Sequence, residues 1–338
     1  MSSFVNKVLL FPYYSVLKIR DTLYKTGKKK SYSFDVPIIS IGNVTVGGTG
    51  KTPHTEMFIR EYLRQGKKVA VISRGYGRKT KQAIVVSERH THIEVGDEPL
   101  QIKRKFPNVT VVVDKNRRQA IENLLNVDEK PDIIILDDAF QYRKIKPSRQ
   151  IVLIDYNRPV FKDSLLPLGR LRDLPERIGE ADTVIITKCP PFMNQWEKEK
   201  CLQANRIPAD KPTYFTTVKY EEIQPIFPSE ANNRFIYSQS VILITGIANG
   251  RLLKDYLLTL YTTLYHIEFG DHHKFGKADI GRIENMAERY PRTLILTTEK
   301  DAQRLVSNPY LTETIKQRLF YIPISVGFVE NESSEGLF

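Results

Sequence analysis

Residues 36–56 read VPIISIGNVTVGGTGKTPHTE, a short apolar run followed by a glycine-rich turn and a helical start. Val36, Ile38, Ile39 and Ile41 suit a strand buried on both faces, which is the habit of parallel sheets. Gly47, Gly48, Thr49 and Gly50 carry no bulky side chains, so their backbone N–H groups can close around phosphate oxygens at the positive end of the following helix. Lys51 and Thr52 then stand where an ammonium meets the β- and γ-phosphates and where a hydroxyl holds Mg²⁺. The pattern GxxxxGK[ST] is met except at its first glycine, where this chain has Thr45. Pro53 sits in the first turn, where its missing N–H costs nothing. The rival reading is a glycine turn without a ligand. Gly-Lys-Thr at a helix start after an apolar strand argues for the phosphate loop, with Thr45, Gly47, Gly48, Thr49, Gly50, Lys51 and Thr52 as its nucleotide-binding residues.

The neighbouring segments extend the same alternation. Residues 51–65 read as a helix ended by Gly66, and 68–73 as a strand, completing a βαβ unit. Arg74, Gly75, Tyr76, Gly77 and Arg78 follow at the carboxyl end of that strand, where open α/β sheets bind ligands; a tight turn with solvated arginines is the alternative. A helical stretch opens at VGDEP (95–99) and runs to Lys105, and 109–113 is another buried strand. Asp114 to Arg118 open a helix running to about Leu125. Residues 132–140, DIIILDDAF, end an apolar strand in Asp137 and Asp138. This is the Walker B arrangement, in which a carboxylate at a strand tip faces the glycine loop and holds Mg²⁺ directly or through water. Strands follow at 150–155 and 182–187, and between them the loop 165–173, LLPLGRLRD, offers Arg170 and Arg172 to phosphate.

Beyond Pro190 the pattern weakens, and residues 214–237 look extended. The expected organisation is an amphipathic N-terminal segment (1–30), a phosphate-loop domain (31–212), a linker of extended strands (213–237) and a smaller C-terminal α/β domain (238–338). The fold class is therefore α/β: a P-loop NTPase-like, mostly parallel sheet domain plus a second, smaller α/β domain. The second domain opens with another strand, turn and helix at 240–258, lacking Gly-Lys-Thr. It continues with a helix at 277–290, a strand at 292–298, a helix begun by Glu299, Lys300 and Asp301, and a closing strand at 321–326.

Charge separates the partner classes. The chain of 338 residues carries a net charge of +12, and its first thirty residues hold seven basic residues against Asp21 alone. A nucleic-acid footprint would spread Lys and Arg over a folded face, so no nucleic acid is expected. A membrane surface is expected instead. Phe4, Val5, Val8, Leu9, Leu10, Phe11, Tyr13, Tyr14, Val16, Leu17 and Ile19 make an aromatic-rich segment flanked by lysines, with an uncharged run (8–17) too short to span a bilayer. No small-residue cleavage site follows, so no signal peptide is expected. An interfacial helix bent or begun at Pro12 and an ordinary helix packed on the core both fit. Cys189 and Cys201 are too few for a disulfide framework or a zinc site.

Among the six histidines, His90 and His92 lack a third ligand nearby and read as a solvated loop, and His266 reads as structural. The stretch 269–275, FGDHHKF, crowds Asp271, His272 and His273 onto a glycine-bounded turn, and a carboxylate beside an imidazole fixes the tautomer a general base needs. From the residues alone this site stands open between a functional and a structural role.

Taken together, VGGTGKTP, SRGYGR, VGDEP, DDAFQY, LPLGRLRD and FGDHHKF, in this order over residues 36 to 305, resemble the tetraacyldisaccharide 4'-kinases of lipid A biosynthesis. The resemblance implies a Gram-negative kinase with ATP and Mg²⁺ as cofactors. Its acceptor would be the 4'-hydroxyl of lipid A disaccharide 1-phosphate, and its place the cytoplasmic face of the inner membrane, as a peripheral enzyme with no full transmembrane span. It further implies a catalytic pair of Asp97 and His272 acting with Lys51, a Mg²⁺ set of Thr52, Asp137, Asp138 and Asp173, and phosphate partners Gln141, Arg117 (Arg118 lying one register away) and Arg172. Where the family has DDGFQH this chain has Ala139 and Tyr142, and GPLRE appears as Gly169-Arg170-Leu171-Arg172-Asp173. A membrane-associated nucleotide switch acting on a protein partner and an ATP-dependent ligase are the rival classes; the switch leaves His272 without a role, and the ligase, which predicts a phosphorylated carboxylate intermediate, gives no reason for the N-terminal segment.

Overall fold

The computed structural model describes the backbone of residues 2–338 and the side chains from Leu10 onward. Its strands, in chain order, are β1 (Ile38–Gly42), β2 (Val69–Ser73), β3 (Ile84–Val85), β4 (Thr110–Val113), β5 (Ile133–Asp137), β6 (Arg149–Asp155), β7 (Thr183–Thr187), β8 (Thr213–Tyr220), β9 (Gln224–Pro225), β10 (Ser240–Thr245), β11 (Thr263–Glu268), β12 (Leu294–Thr298), β13 (Leu319–Ile322) and β14 (Ile324–Phe328). Nine of them form one sheet in the order β14-β8-β7-β6-β1-β5-β2-β4-β3, and five form a second in the order β11-β10-β12-β13-β9. In the large sheet pairing is parallel except at its two edges, β3 on β4 and β14 on β8. All five residues of β1, of β2 and of β5 are buried, which is why these strands read as unbroken Ile and Val runs rather than alternating ones.

Strand β1 lies between β5 and β6, with Ile41 paired to Asp137. That register sets the glycine loop after β1 beside the twin aspartates after β5. The helix Lys51–Arg64 turns Phe58, Ile59 and Tyr62 onto the sheet. In the small sheet, β10 pairs parallel with β11 and β12, and the helices Arg251–Leu260 and Lys277–Arg289 bury Leu253, Leu257, Ile280 and Ile283.

The expected domain boundaries need correction. Thr213–Tyr220 is no linker: it joins the large sheet, parallel to β7. Nor do residues 321–326 form one strand. Pro323, with no N–H to give a ladder, divides β13 in the small sheet from β14 in the large one. Strand β14 runs back along β8, from Ile324 opposite Tyr220 to Phe328 opposite Thr216. Beyond it Leu337 is fully buried in the core of the large unit and Phe338 packs edge-on against Phe58, with ring centroids 5.0 Å apart. The small unit is thus an insertion in the large one, roughly residues 221–323, rather than a C-terminal appendage.

Helix Ser2–Lys25 runs through Pro12 instead of starting there. One face of it packs on the core and the other is exposed. Leu17 is buried and Leu10 and Tyr13 pack with it against the large unit, where the Tyr13 hydroxyl donates to the Arg172 carbonyl at 3.1 Å and Asp21 is held by Arg143 and by Lys25 at 2.9 Å. Phe11, Val16 and Ile19 face outward. The side chains of Phe4, Val5, Val8 and Leu9 lie outside the described residues. Among the described residues no helix is long and apolar enough to cross a membrane.

Candidate active site

A cleft of about 1240 Å³ separates the two sheets, and both sheets present the carboxyl ends of their strands to it. From the large sheet come the glycine loop after β1, Ser73 and Arg74 at β2, and Asp137 and Asp138 at β5; from the small sheet come Ile247 to Asn249 after β10, Phe269 to His272 after β11, and Thr298 to Lys300 at β12. This is the position in which open α/β sheets hold ligands, here supplied twice.

The glycine loop is rigidly braced. Gly47 has φ +96° and Gly50 φ +83°, left-handed conformations that a Cβ would strain. His54, one turn into the helix, points back: its Nδ1–H donates to the Gly50 carbonyl at 2.7 Å, so its Nε2 accepts from the Thr216 hydroxyl at 3.0 Å. Burial lowers the pKa of this imidazole to about 4 despite the Gly50 carbonyl, so it is neutral. The Thr187 hydroxyl donates to the Thr49 carbonyl at 3.0 Å, Asn43 donates to the Thr49 hydroxyl at 2.6 Å, and the Lys188 ammonium donates to the Gly48 carbonyl and pairs with Asp155 at 2.8 Å. With its carbonyls occupied from behind, the loop leaves N–H groups for an anion in front.

The two aspartates differ. Asp137 is buried, and burial together with its neighbour Asp138 pushes its pKa up to about 6. Its Oδ2 accepts from the Ser73 hydroxyl at 3.1 Å while its Oδ1 has no partner. Asp138, with φ +48°, behaves oppositely: burial alone would raise its pKa, but Lys51 and Arg172 hold it at about 2. Arg172 forks onto both of its oxygens, one at 2.9 Å, and Lys51 stands 3.9 Å away. Arg117 is buried behind the pair and donates to the carbonyls of Asp137 at 2.7 Å and Asp138 at 3.0 Å, whereas Arg118 pairs with Glu122 and covers the Tyr32 ring. Arg117 is therefore the arginine at the site. Gln141 donates to the Asn43 carbonyl at 2.7 Å.

Asp173 departs from expectation. Its carboxylate is buried in an ion pair with Arg177, accepts from the Leu174 N–H at 2.9 Å, and is absent from the cleft wall. A carboxylate already neutralised by a buried guanidinium has little to offer a cation. Among the described residues no three His, Cys, Asp or Glu side chains converge as a metal cage. The free, buried oxygen of Asp137 and the Thr52 hydroxyl share the cleft, and oxygen donors of this kind could hold Mg²⁺.

Across the cleft, the structure brings His272 and Asp97 together. His272 Nδ1 lies 3.1 Å from Asp97 Oδ2, and the Lys300 ammonium lies 3.1 Å from His272 Nε2. Nδ1 also lies 3.3 Å from Arg304 Nη2, a donor, but its approach to the Asp97 oxygen is shorter; with Nδ1–H donated to Asp97, Nε2 keeps the lone pair that accepts from the Lys300 ammonium, which only donates. Burial would raise the pKa of Asp97, but His272 and Arg304 drive it well below the usual carboxylate range. His272 has φ +57°, a conformation non-glycine residues seldom keep unless their surroundings impose it. His273 instead pairs with Asp279 at 3.0 Å and stacks on Phe269, and His266 meets the Thr245 hydroxyl at 2.8 Å; both are structural. Arg304, Lys300 and Lys188 escaped the sequence reading. Lys300 sat in a recognised helix start, but Arg304 lies inside a short helix with no local pattern to mark it.

Comparison with known proteins gives a consistent picture. A family profile described as tetraacyldisaccharide-1-P 4'-kinase matches residues 5–337. Among curated relatives, the tetraacyldisaccharide 4'-kinase of Bacteroides thetaiotaomicron is 38% identical over 340 residues, covering 96% of this chain and 88% of its own. That of Parabacteroides distasonis is 39% identical, covering 96% and 90%. Among solved structures, LpxK from Aquifex aeolicus in complex with ATP superposes with a TM-score of 0.73 at 27% identity, over 100% of this chain and 97% of that one.

Proposed function

The chain belongs to the tetraacyldisaccharide 4'-kinase family, and on that premise we propose that its cleft transfers the γ-phosphoryl of ATP to the 4'-hydroxyl of tetraacyldisaccharide 1-phosphate in lipid A biosynthesis. The observation that carries this reading is that Lys51 with its glycine loop and His272, from opposite sheets, open onto the same cleft, with Asp97 of the large unit 3.1 Å behind the His272 ring.

The glycine loop and Lys51 cradle the phosphates of ATP, and Arg172, held on the cleft wall by Asp138, meets charge on the transferring group. Asp137 and Thr52 would hold Mg²⁺, which would supply charge neutralisation at the phosphates. His272 Nε2 takes the proton from the 4'-hydroxyl as its oxygen bonds to the γ-phosphorus and the bond from that phosphorus to ADP breaks. Asp97 accepts Nδ1–H and stabilises the imidazolium that results. Phosphoryl transfer asks for positioning and charge neutralisation more than covalent chemistry, and this set supplies both. The outward Phe11, Val16 and Ile19 of the N-terminal helix, with its basic residues, support a peripheral seat on the cytoplasmic face of the inner membrane, each lysine or arginine near anionic lipid contributing about 1 kcal/mol.

The test is direct. Purified protein with Mg-ATP and the disaccharide 1-phosphate in detergent should yield the 4'-phosphorylated product, and His272→Ala should lower its rate by about 10³-fold. Nucleotide hydrolysis that answers to a protein partner and ignores both the lipid and His272 would establish the switch reading in its place.

A further inference from the structure

The proposed base and its partner come from different units. Asp97 opens the helix Asp97–Lys105 of the large unit, while His272 stands on the loop after β11 of the small one. Something must hold the halves in register, and the helix Glu299–Leu305, packed against Asp97–Lys105, carries it. The Arg304 side chain is 3% exposed. Its Nε donates to Asp97 Oδ2 at 2.9 Å and its Nη2 donates to the same oxygen. Its Nη1 donates to Asp301 Oδ1 at 2.8 Å and to the Gly246 carbonyl at 3.2 Å.

Asp301, fully buried, extends the chain of contacts. Its Oδ2 accepts from the Gly246 N–H at 2.8 Å and the Thr298 hydroxyl at 2.7 Å. The Gly246 carbonyl accepts a second bond, from the His272 backbone N–H at 3.1 Å. One buried run of groups therefore ties the Asp97 carboxylate, the left-handed backbone of His272 and the turn after β10 to a single guanidinium.

We infer that Arg304, anchored by Asp301, is the clasp that assembles the divided Asp97–His272 pair and fixes which imidazole nitrogen receives the acceptor's proton. The inference rests on the kinase reading above. Arginine keeps its charge and offers donors in a planar fork, so Asp97 is held as an acceptor in one orientation and Nδ1–H is turned toward it. Nε2 keeps its lone pair, which accepts from the Lys300 ammonium at 3.1 Å and passes to the acceptor hydroxyl when that ammonium is displaced. Arg304 touches neither nucleotide phosphate nor acceptor in this scheme; it is a positioning residue. Other pairs along the same two helices, such as Arg104 with Gln303 at 2.7 Å, join the units without reaching the pair.

The experiment uses the full chain in detergent with saturating Mg-ATP and tetraacyldisaccharide 1-phosphate, followed with radiolabelled ATP. Arg304→Gln should lower kcat by about 10²-fold with KM for ATP within about twofold, and Arg304→Lys should restore part of that loss. In a His272→Ala background the same Arg304→Gln change should cost less than about twofold, because nothing remains to be positioned. Gln303→Ala should be silent. A wild-type kcat in Arg304→Gln, an equal loss in the His272→Ala background, or a parallel rise in KM for ATP would overturn the clasp. Should Arg304→Gln fail to fold, the near-isosteric Asp301→Asn decides: a loss of kcat of about tenfold with His272 present, and not in the His272→Ala background, supports the inference, and no loss overturns it. A wild-type protein inactive on the lipid, or a fully active His272→Ala, would instead remove the kinase reading itself.

Discussion

Two turns of similar build face each other across the cleft. Each follows a buried parallel strand, β1 or β10, and leads into a helix, and the first turn comes close enough that a Cβ on Gly48 would lie 3.9 Å from Ala248 of the second. The first turn, with Gly47 and Gly50 in left-handed conformations, has its carbonyls tied down from behind and a lysine at its end. The second has no lysine, and its first residue, Gly246, spends both backbone groups on Asp301, Arg304 and His272. On the function proposed above, the same local architecture serves a phosphate donor site on one side and supports the proton acceptor His272 on the other. Side chains and turn conformation decide the chemistry, while the strand–turn–helix form decides only where it happens.

This comparison can be broken by substitution. The largest effect is expected for Lys51→Ala, about 10³-fold in kcat/KM for ATP, measured with the lipid assay; an equal loss confined to KM of the lipid would place Lys51 on the wrong side. Next comes Asp137→Asn, which should lower Mg-dependent turnover by about 10²-fold while making the metal-free protein more stable. The folded pKa of Asp137 is about 6, above the ordinary carboxylate value. The folded state therefore binds more protons than the unfolded state between about pH 4 and 6, and wild-type stability falls as pH rises through that window. Denaturant titrations should show the Asn variant's advantage growing across it and levelling off near 1–3 kcal/mol, roughly. A constant advantage would mean that the charge is relieved elsewhere.

Smaller effects separate the turns more finely. Gly50→Ala forces a side chain into φ +83° beside His54, at a cost of about 1–2 kcal/mol, so ATP affinity by calorimetry should weaken about tenfold. Gly246 has an ordinary backbone, but a Cβ there would meet Asp301 Oδ1 at 2.9 Å. Gly246→Ala should therefore lower kcat by about fivefold and leave ATP affinity alone. Exchanged results for the two glycines would show that the division of labour has been drawn the wrong way round.

The β1 turn was readable because everything it needs lies within twenty residues: an apolar strand, glycines, Lys51 and a helix start. The twin aspartates were readable for the same reason, and the α/β class and the kinase family followed from motifs of that kind. What escaped depends on pairing distant in sequence. No local feature of residues 324–328 tells which sheet they join, since an alternating strand satisfies either edge, and the return of β14 to β8 is settled by partners about a hundred residues away. Asp173 looked like one more carboxylate near arginines until Arg177, one helical turn further on, claimed it. Arg304 was invisible because a lone arginine in a seven-residue helix is an ordinary solvated residue until the fold buries it against Asp97.

The pairing of Tyr220 with Ile324 has a consequence for how the protein is made. As the chain leaves the ribosome, the phosphate-binding loop and most of the large sheet emerge first, yet β8 waits with an open edge while the whole small unit is synthesised. That inserted unit has its own parallel sheet and cores and can fold in the interval. Only when residues 324–338 appear is the edge covered by β14 and the Phe58 core closed by Leu337 and Phe338. The nascent chain would thus complete its small unit, with His272, before the large unit that carries the glycine loop is sealed, and a ribosome stalled near residue 320 would display an unpaired, aggregation-prone strand.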